Sequence, residues 1–271
     1  MPLTQKDKAI RFRALHDAPG TFVIPNPWDT ASARILAGLG FQALATSSAA
    51  AACAQGRRDH ALARDEMLAH ARTIANATDL PVSADLGNGF GDAPEAVAET
   101  IRLAAAAGLV GCTIEDANEH GLYDFDLAVA RMSAGAEAAH ALAFPFMLTA
   151  RAHIYLFDNP SLGETIRRLQ AFEKAGADVL FAPGLPDLAA VRTVCAAVSK
   201  PFNFMVGIKG RSFSVAELAD AGVKRISLAT SLYRAAMTGF LEAARQVKDE
   251  GRFDFLDECV ATGDLLRLMQ I

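Results

Sequence analysis

Acidic, basic and amide side chains recur just after short apolar runs in this chain. Asp85 closes the run Pro81–Asp85 and leads into Leu-Gly-Asn-Gly-Phe-Gly-Asp. Glu115 and Asp116 follow Val110–Ile114, Arg151 follows Pro145–Ala150 with His153 nearby, and Asn203 lies within Pro201–Val206. Asn26, Trp28 and Asp29 follow Thr21–Pro25, while Ser47 and Ser48 follow Gln42–Thr46. Carboxylates gathered at one spot repel unless a cation lies among them. Asp and Glu oxygens suit Mg²⁺, which keeps several waters and takes few direct protein ligands. An arginine beside such a centre grips a carboxylate with its planar fork of donors. Ser47 and Ser48 offer N–H groups and hydroxyls to an oxyanion, although a plain turn explains them equally well. Structural uses compete for other residues too: Asp29 as N-cap of a helix at Thr30–Gly38, Asp116 as a loop cap, Arg151 as a salt-bridge partner of Glu115. Asp85 is the hardest to explain by structure alone. A turn needs one glycine, and the three that follow it let backbone and ligand approach closely.

The elements that must position these residues repeat along the chain. With Asp178–Ala182 and Lys224–Leu228, eight apolar runs are present. Each is too short for a helix and too uniformly apolar for a half-exposed strand, which predicts parallel strands covered on both faces. Helical patterns lie between them, at Asp65–Ala75, Ala93–Ala107, Leu127–Ala141, Leu162–Ala175 and Leu188–Ser199. Glycines (Gly38, Gly40, Gly108, Gly176, Gly222) precede strands where a helix must end, and Pro81, Pro145 and Pro201 open three strands. Eight strand–helix repeats predict an α/β fold, a closed (β/α)8 TIM-type barrel, with the candidate residues at its C-terminal mouth. An open doubly wound sheet would want a phosphate-loop glycine fingerprint after the first strand, and Pro-Asn-Pro-Trp-Asp-Thr-Ala-Ser is not one. Residues 1–271 form a single domain, and the extra C-terminal helices, about 238–271, are candidates for packing on a partner subunit.

Composition narrows the function classes. The chain has 271 residues, 52% of them hydrophobic and 21% charged, so it can bury a sizeable core. Net charge is −5 without a basic block, which leaves no electrostatic footprint for nucleic acid or an anionic membrane. No apolar stretch reaches the roughly 18 residues of a membrane span. The N-terminal segment is expected to be an amphipathic helix rather than a secretory signal. Cys53, Cys112, Cys195 and Cys259 lie far apart, as expected of buried thiols in a reducing cytoplasm.

The stretches Pro-Asn-Pro-Trp-Asp-Thr-Ala-Ser through Ser48, Pro81 through Asp92, Ile-Glu-Asp-Ala, Thr-Ala-Arg-Ala-His and Ser-Leu-Tyr-Arg-Ala-Ala-Met resemble, in order and spacing, the phosphoenolpyruvate mutase/isocitrate lyase superfamily. The resemblance runs through essentially the whole chain. It implies a barrel with a C-terminal helix exchanged between subunits of a homodimer or homotetramer. It also implies bound Mg²⁺, with Mn²⁺ an alternative, and a small 2-oxo acid substrate. By the same resemblance Asp85 is the metal carboxylate, Glu115 the acid that holds metal-bound water, and Asp59 a further carboxylate of that water network. Arg151 corresponds to the arginine that binds substrate carboxylate. Ser47, Ser48 and Gly89 match substrate contacts, Trp28 an aromatic residue lining the pocket, and Asn203 a polar residue on its far wall.

Two departures narrow the chemistry. Where the family commonly carries a second acid two residues after the first, this chain has Gly87, with Asn88 and Asp92 the nearby groups that could compensate. The gating loop reads Asp-Ala-Asn-Glu-His-Gly-Leu-Tyr-Asp-Phe-Asp. It lacks the lysine and cysteine of isocitrate and methylisocitrate lyases and the Lys with Gly-Asn-Ser of the mutase. Both of those reactions are disfavoured. His120, beside Glu119, is left as a candidate general acid or base, with an exposed loop histidine as the alternative. The expected activity is a Mg²⁺-dependent lyase that works through an enolate next to a 2-oxo acid, as an oxaloacetate decarboxylase-like or retro-aldol enzyme. The alternatives are a C–P hydrolase acting on phosphonopyruvate and a non-catalytic 2-oxo-acid binding protein.

Overall fold

The computed structural model describes residues 3–211 and 213–270. Its eight principal strands are β1 (Phe22–Ile24), β2 (Leu44–Ala45), β3 (Val82–Asp85), β4 (Gly111–Glu115), β5 (Met147–Arg151), β6 (Val179–Phe181), β7 (Phe202–Met205) and β8 (Arg225–Ser227). All pair in parallel, in the order β1-β8-β7-β6-β5-β4-β3-β2. The two ends meet where the Ala45 N–H donates to the Pro25 carbonyl at 3.0 Å, closing the (β/α)8 barrel. Buried Asn26 reinforces the seam, donating to the Thr46 carbonyl at 3.0 Å and accepting from the Leu228 N–H at 2.8 Å. Each expected strand is present, within the bounds its apolar run set or one residue beyond.

The helices cover the barrel with one apolar face each. Helix Pro94–Ala106 buries Val97, Ile101 and Ala104 against helix Phe125–His140, which turns Ala128, Met132 and Ala136 inward. The N-terminal helix Gln5–Asp17 starts from a reciprocal Thr4–Asp7 capping box. It places Phe12 beneath the barrel among Ile24, Val110, Met147 and Val179. Asp29 caps helix Thr30–Gly38, accepting from the Ser32 N–H at 2.7 Å.

Two elements were not foreseen. Helix Ser48–Ala54 begins directly after β2, and a short antiparallel hairpin, Ala117–Asn118 with Gly121–Leu122, follows β4. The thiols correct another expectation, since Cys112 is buried but Cys53 and Cys259 are exposed.

The C-terminal extension runs through helix Ser231–Arg245 to helix Thr262–Met269. The latter packs on the chain's own helix Thr30–Gly38. Gly38 has to be glycine there, because a Cβ would stand 2.0 Å from the Leu268 carbonyl oxygen. In contrast, helix Ser231–Arg245 buries none of its residues, and Phe240, Phe253, Leu256 and Val260 are exposed. The unpartnered apolar surface therefore belongs to the middle of the extension, not its end.

Candidate active site

A cavity of about 240 Å³ opens at the C-terminal mouth and runs into the barrel. Ser47, Ser48, Asp59, Asp85, Arg151 and Asn203 are among the residues that line it. Asp85, at the end of β3, is held in one orientation. Its Oδ2 accepts from the Ser48 N–H at 3.2 Å and the Ser48 hydroxyl at 2.9 Å, and its Oδ1 accepts from the Gly87 N–H at 3.3 Å. Ser48 thus positions Asp85 rather than meeting a ligand with its hydroxyl. Ser47 caps the following helix with its own hydroxyl, toward the Ala50 N–H at 3.4 Å.

Arg151 stands between two acids. Its Nη1 lies 3.9 Å from Asp85 Oδ2 and 3.5 Å from Glu115 Oε2, and its plane rests over the Phe181 ring at 5.2 Å. Its Nε is buried without a hydrogen-bond partner, a donor left open in a cavity wall. Glu115 sits behind Arg151 and is not part of the lining, so it supports the site from within the wall. Burial pushes the Glu115 carboxyl up to about 7; the Arg151 charge works against that shift and the Asp85 charge adds to it. His153 was noted in the sequence only as a neighbour. Its Nδ1 approaches Glu115 Oε2 at 3.3 Å without hydrogen-bond alignment, and its Nε2 is 3.2 Å from Arg151 Nη2. Burial, then the Arg151 charge, pushes its pKa down to about 2, so the ring is neutral.

Asp116 has the structural role. Fully buried, it accepts from Arg168 at 3.1 Å and from the His153 N–H at 2.8 Å, and so fixes the chain just past Arg151.

The glycine loop after β3 is explained by packing. Gly87 does adopt a left-handed φ of +54°, and a Cβ there would lie 3.9 Å from Glu115 Oε1 and 4.0 Å from His60 Nδ1. Gly89, however, faces away from the cavity: a Cβ would press on Val97 at 3.2 Å, and its carbonyl accepts from Thr100 at 2.8 Å. Its placement as a substrate contact is corrected. Arg131, fully buried, clamps the loop by donating to the carbonyls of Asn88, Gly91 and Asp92, with its guanidinium 4.1 Å from the centre of the Tyr123 ring. Asn88 and Asp92 are themselves tied to Tyr123 Oη, at 2.8 and 2.6 Å. They do not compensate for Gly87.

Two further expectations fall away. Trp28 is not in the lining and packs edge-on against Tyr233, with ring centres 5.5 Å apart. His120 sits at the tip of the hairpin with its side chain 82% exposed, beside Glu119 and outside the cavity.

Among the described residues, no three His, Cys, Asp or Glu side chains gather closely enough to cage a metal. The donor chemistry still fits Mg²⁺, which needs only one or two carboxylates with water and substrate oxygens. Asp85 and Asp59 are the carboxylates that reach the cavity. Residues the sequence did not single out include Ser83, Thr113 and Arg225, all in the lining. Their signal was present, as polar side chains at alternate positions inside apolar runs.

No helix among the described residues is long and apolar enough to cross a membrane. The model of the phosphoenolpyruvate phosphomutase family matches residues 12–248. A solved structure from Burkholderia cenocepacia J2315, named provisionally as a lyase/mutase, is 49% identical with a TM-score of 0.96, and the match covers 98% of each chain. A 2-methylisocitrate lyase of Halalkalibacterium halodurans is 27% identical, over 92% of this chain and 85% of its own. An oxaloacetate decarboxylase of Ectopseudomonas mendocina is 28% identical, over 91% and 88%. The chain belongs to the phosphoenolpyruvate phosphomutase family, in the phosphoenolpyruvate mutase/isocitrate lyase superfamily, and is an enzyme of its lyase and mutase class.

Proposed function

We propose that the protein is a divalent-metal-dependent lyase that forms or cleaves a bond next to a small 2-oxo acid through an enolate. The observation that carries this reading is the pairing, on one small cavity, of a fixed carboxylate at Asp85 with a guanidinium at Arg151 whose Nε is unpartnered. At about 240 Å³ the cavity suits a compact acid, being smaller than the roughly 300–1,000 Å³ of sites for drug-sized ligands. The related 2-methylisocitrate lyase and oxaloacetate decarboxylase bear names of the same bond-cleaving kind.

Asp85 directly, with Asp59 and Glu115 through water, would hold Mg²⁺ or Mn²⁺, which supplies a Lewis acid for oxygens that gain charge in the reaction. Ser48 keeps the Asp85 carboxylate pointed at that place. Arg151 binds the substrate carboxylate through its free Nε–H and an Nη group, and Phe181 and the Glu115 carboxylate hold the fork in position. Glu115, with its pKa near neutrality, is the member of the cluster that exchanges a proton most readily at neutral pH.

The test is turnover of oxaloacetate, phosphonopyruvate and longer 2-oxo and 2-hydroxy acids with Mg²⁺, with Mn²⁺ and with chelator, following pyruvate or glyoxylate. Activity lost with chelator and in Asp85→Ala is the expected result. Turnover indifferent to chelator refutes the Lewis-acid reading. Release of phosphate from phosphonopyruvate would favour C–P hydrolysis, and binding without product a non-catalytic role.

We also infer that a second copy of the chain covers helix Ser231–Arg245, because Phe240 is 64% exposed on a helix that buries nothing. Light scattering that gives a monomer mass at micromolar concentration would refute this, whereas a dimer or tetramer mass supports it.

A further inference from the structure

The interior of this barrel is polar where (β/α)8 barrels are usually filled by branched aliphatic side chains. Ser83, Thr113, Asn203 and Arg225 line the cavity below its mouth, and Thr149 is fully buried beside them. Arg225 lies deepest. The paired positions Glu115, Arg151, Phe181, Asn203 and Arg225 pass from the last residues of β4, β5 and β6 to the first residue of β8. Following the hydrogen-bonded register thus descends from the mouth to Arg225, as strand tilt in a barrel requires. Thr149, which Arg225 touches, is two residues before Arg151 on the same face of β5, a drop of about 6–7 Å at the usual strand rise.

Every partner of Arg225 is neutral. Its Nε donates to Asn203 Oδ1 at 2.8 Å, its Nη2 donates to the Thr149 hydroxyl at 2.9 Å, and its Nη1 lies 3.3 Å from His16 Nε2. His16 is kept uncharged by burial and by Arg225 itself, which push its pKa down to about 3. Arg225 is 3% exposed and makes no ion pair among the described residues. Burial lowers its pKa to about 9, so it stays a cation at neutral pH. A buried charge without a counter-charge is costly. A guanidinium has five N–H donors, and three nitrogens held by one partner each leave two N–H directions open. The open cavity is the one place from which an anion can reach them.

We propose that the floor of the cavity is an anion subsite in which Arg225, oriented by Asn203, Thr149 and His16, receives the second oxyanion group of a dianionic acid. This rests on the reading of the mouth as a 2-oxo-acid site and extends it to the substrate's far end. One guanidinium, Arg151, takes the end near Asp85, and Arg225 takes the other. The fork accepts a carboxylate or a phosphonate alike.

Asn203→Asp tests this without removing the buried arginine. The substitution keeps the side chain's shape and places a carboxylate 2.8 Å from Arg225 Nε, a built-in counter-ion. The probes are matched pairs, succinate against butyrate and phosphonoacetate against acetate. Their binding is measured by calorimetry in chelator-treated wild type and variant. The wild type should prefer each dianion at least tenfold, and Asn203→Asp should lose that preference while its unliganded form melts no lower. A preference shown only for succinate or only for phosphonoacetate identifies which oxyanion the floor takes. Equal binding of dianion and monoanion by the wild type overturns the proposal, as does an undiminished preference in Asn203→Asp. The two readings fail separately. Loss of the preference in a protein that turns over no 2-oxo acid leaves the floor subsite standing, and lyase turnover with the preference intact in Asn203→Asp leaves only the mouth.

Discussion

Replacing Asp116 by alanine should destabilise the protein by about 3 kcal/mol. Removing one partner of a buried ion pair costs roughly 3–5 kcal/mol, because the other charge is left in a poor solvent. Here Arg168, its side chain 7% exposed, would lose its Asp116 contact. It would keep the Tyr123 carbonyl at 2.9 Å and Glu164 at 3.1 Å, the latter a partly exposed carboxylate. That residual pairing puts the loss at the low end of the range. The His153 N–H would also be orphaned. For a domain of this size each kcal/mol moves the melting temperature by about 2–4 °C, so a fall of roughly 6–12 °C is expected by calorimetry. The intact pair need not favour folding over an apolar one. Burial raises the Asp116 pKa despite the opposing pull of the His153 amide and Arg168, so desolvation outweighs what the partners return. Asp116→Leu combined with Arg168→Met should accordingly recover to within about 1 kcal/mol of wild type. A single variant that loses less than about 1 kcal/mol, or a double variant that loses the sum of both singles, would refute the account of a dry, coupled pair.

His16 sets an acid limit on stability. Its folded pKa of about 3 lies below the ordinary 6.5, so its contribution is complete above about pH 6.5 and is lost as pH falls toward 3. Between pH 7 and pH 5 wild type should lose about 2 kcal/mol more than His16→Asn in urea titrations, and equal losses would refute the assignment. Gly38→Ala should push the Leu268 carbonyl away and release helix Thr262–Met269; limited proteolysis that cuts both proteins equally slowly near the C-terminus would show the contact to be dispensable. His120→Ala should leave kcat/KM within twofold of wild type, because the side chain is solvent-exposed at the hairpin tip. A drop of tenfold or more would mean that the hairpin closes over the bound substrate.

The strand–helix alternation was legible because parallel barrel strands are buried on both faces and so stand out as short apolar runs between amphipathic helices. The strand-end rule likewise brought Asp85, Arg151, Ser47, Ser48, Asp59 and Asn203 to one cavity. What it missed depended on side-chain direction. Trp28 and His120 follow strands as closely as the lining residues do, yet one turns to Tyr233 and the other to solvent. The three glycines after Asp85 invited a functional explanation, but only Gly87 borders the acidic cluster. Gly89 packs against Val97 and Gly91 against Ala96, and Arg131, distant in sequence, holds the loop.

The polar floor was hidden for a different reason. Ser83, Thr113, Thr149 and Arg225 each sit singly inside a run that hydropathy alone marks as core. Whether such a residue is an isolated satisfied polar group or part of a site depends on which positions of separate strands share a level. Register and tilt decide that, and neither is written in any one strand. Once the register is known, Asn203 faces Arg225 directly, and Arg225 reaches across the barrel to Thr149. The mouth already holds the acids that a cation would use, so a second cation at the floor is surplus to the fold's own needs. An anionic ligand is what would make that charge useful, since it would be drawn past Arg151 into the barrel and held where water is scarce and electrostatic attraction strongest.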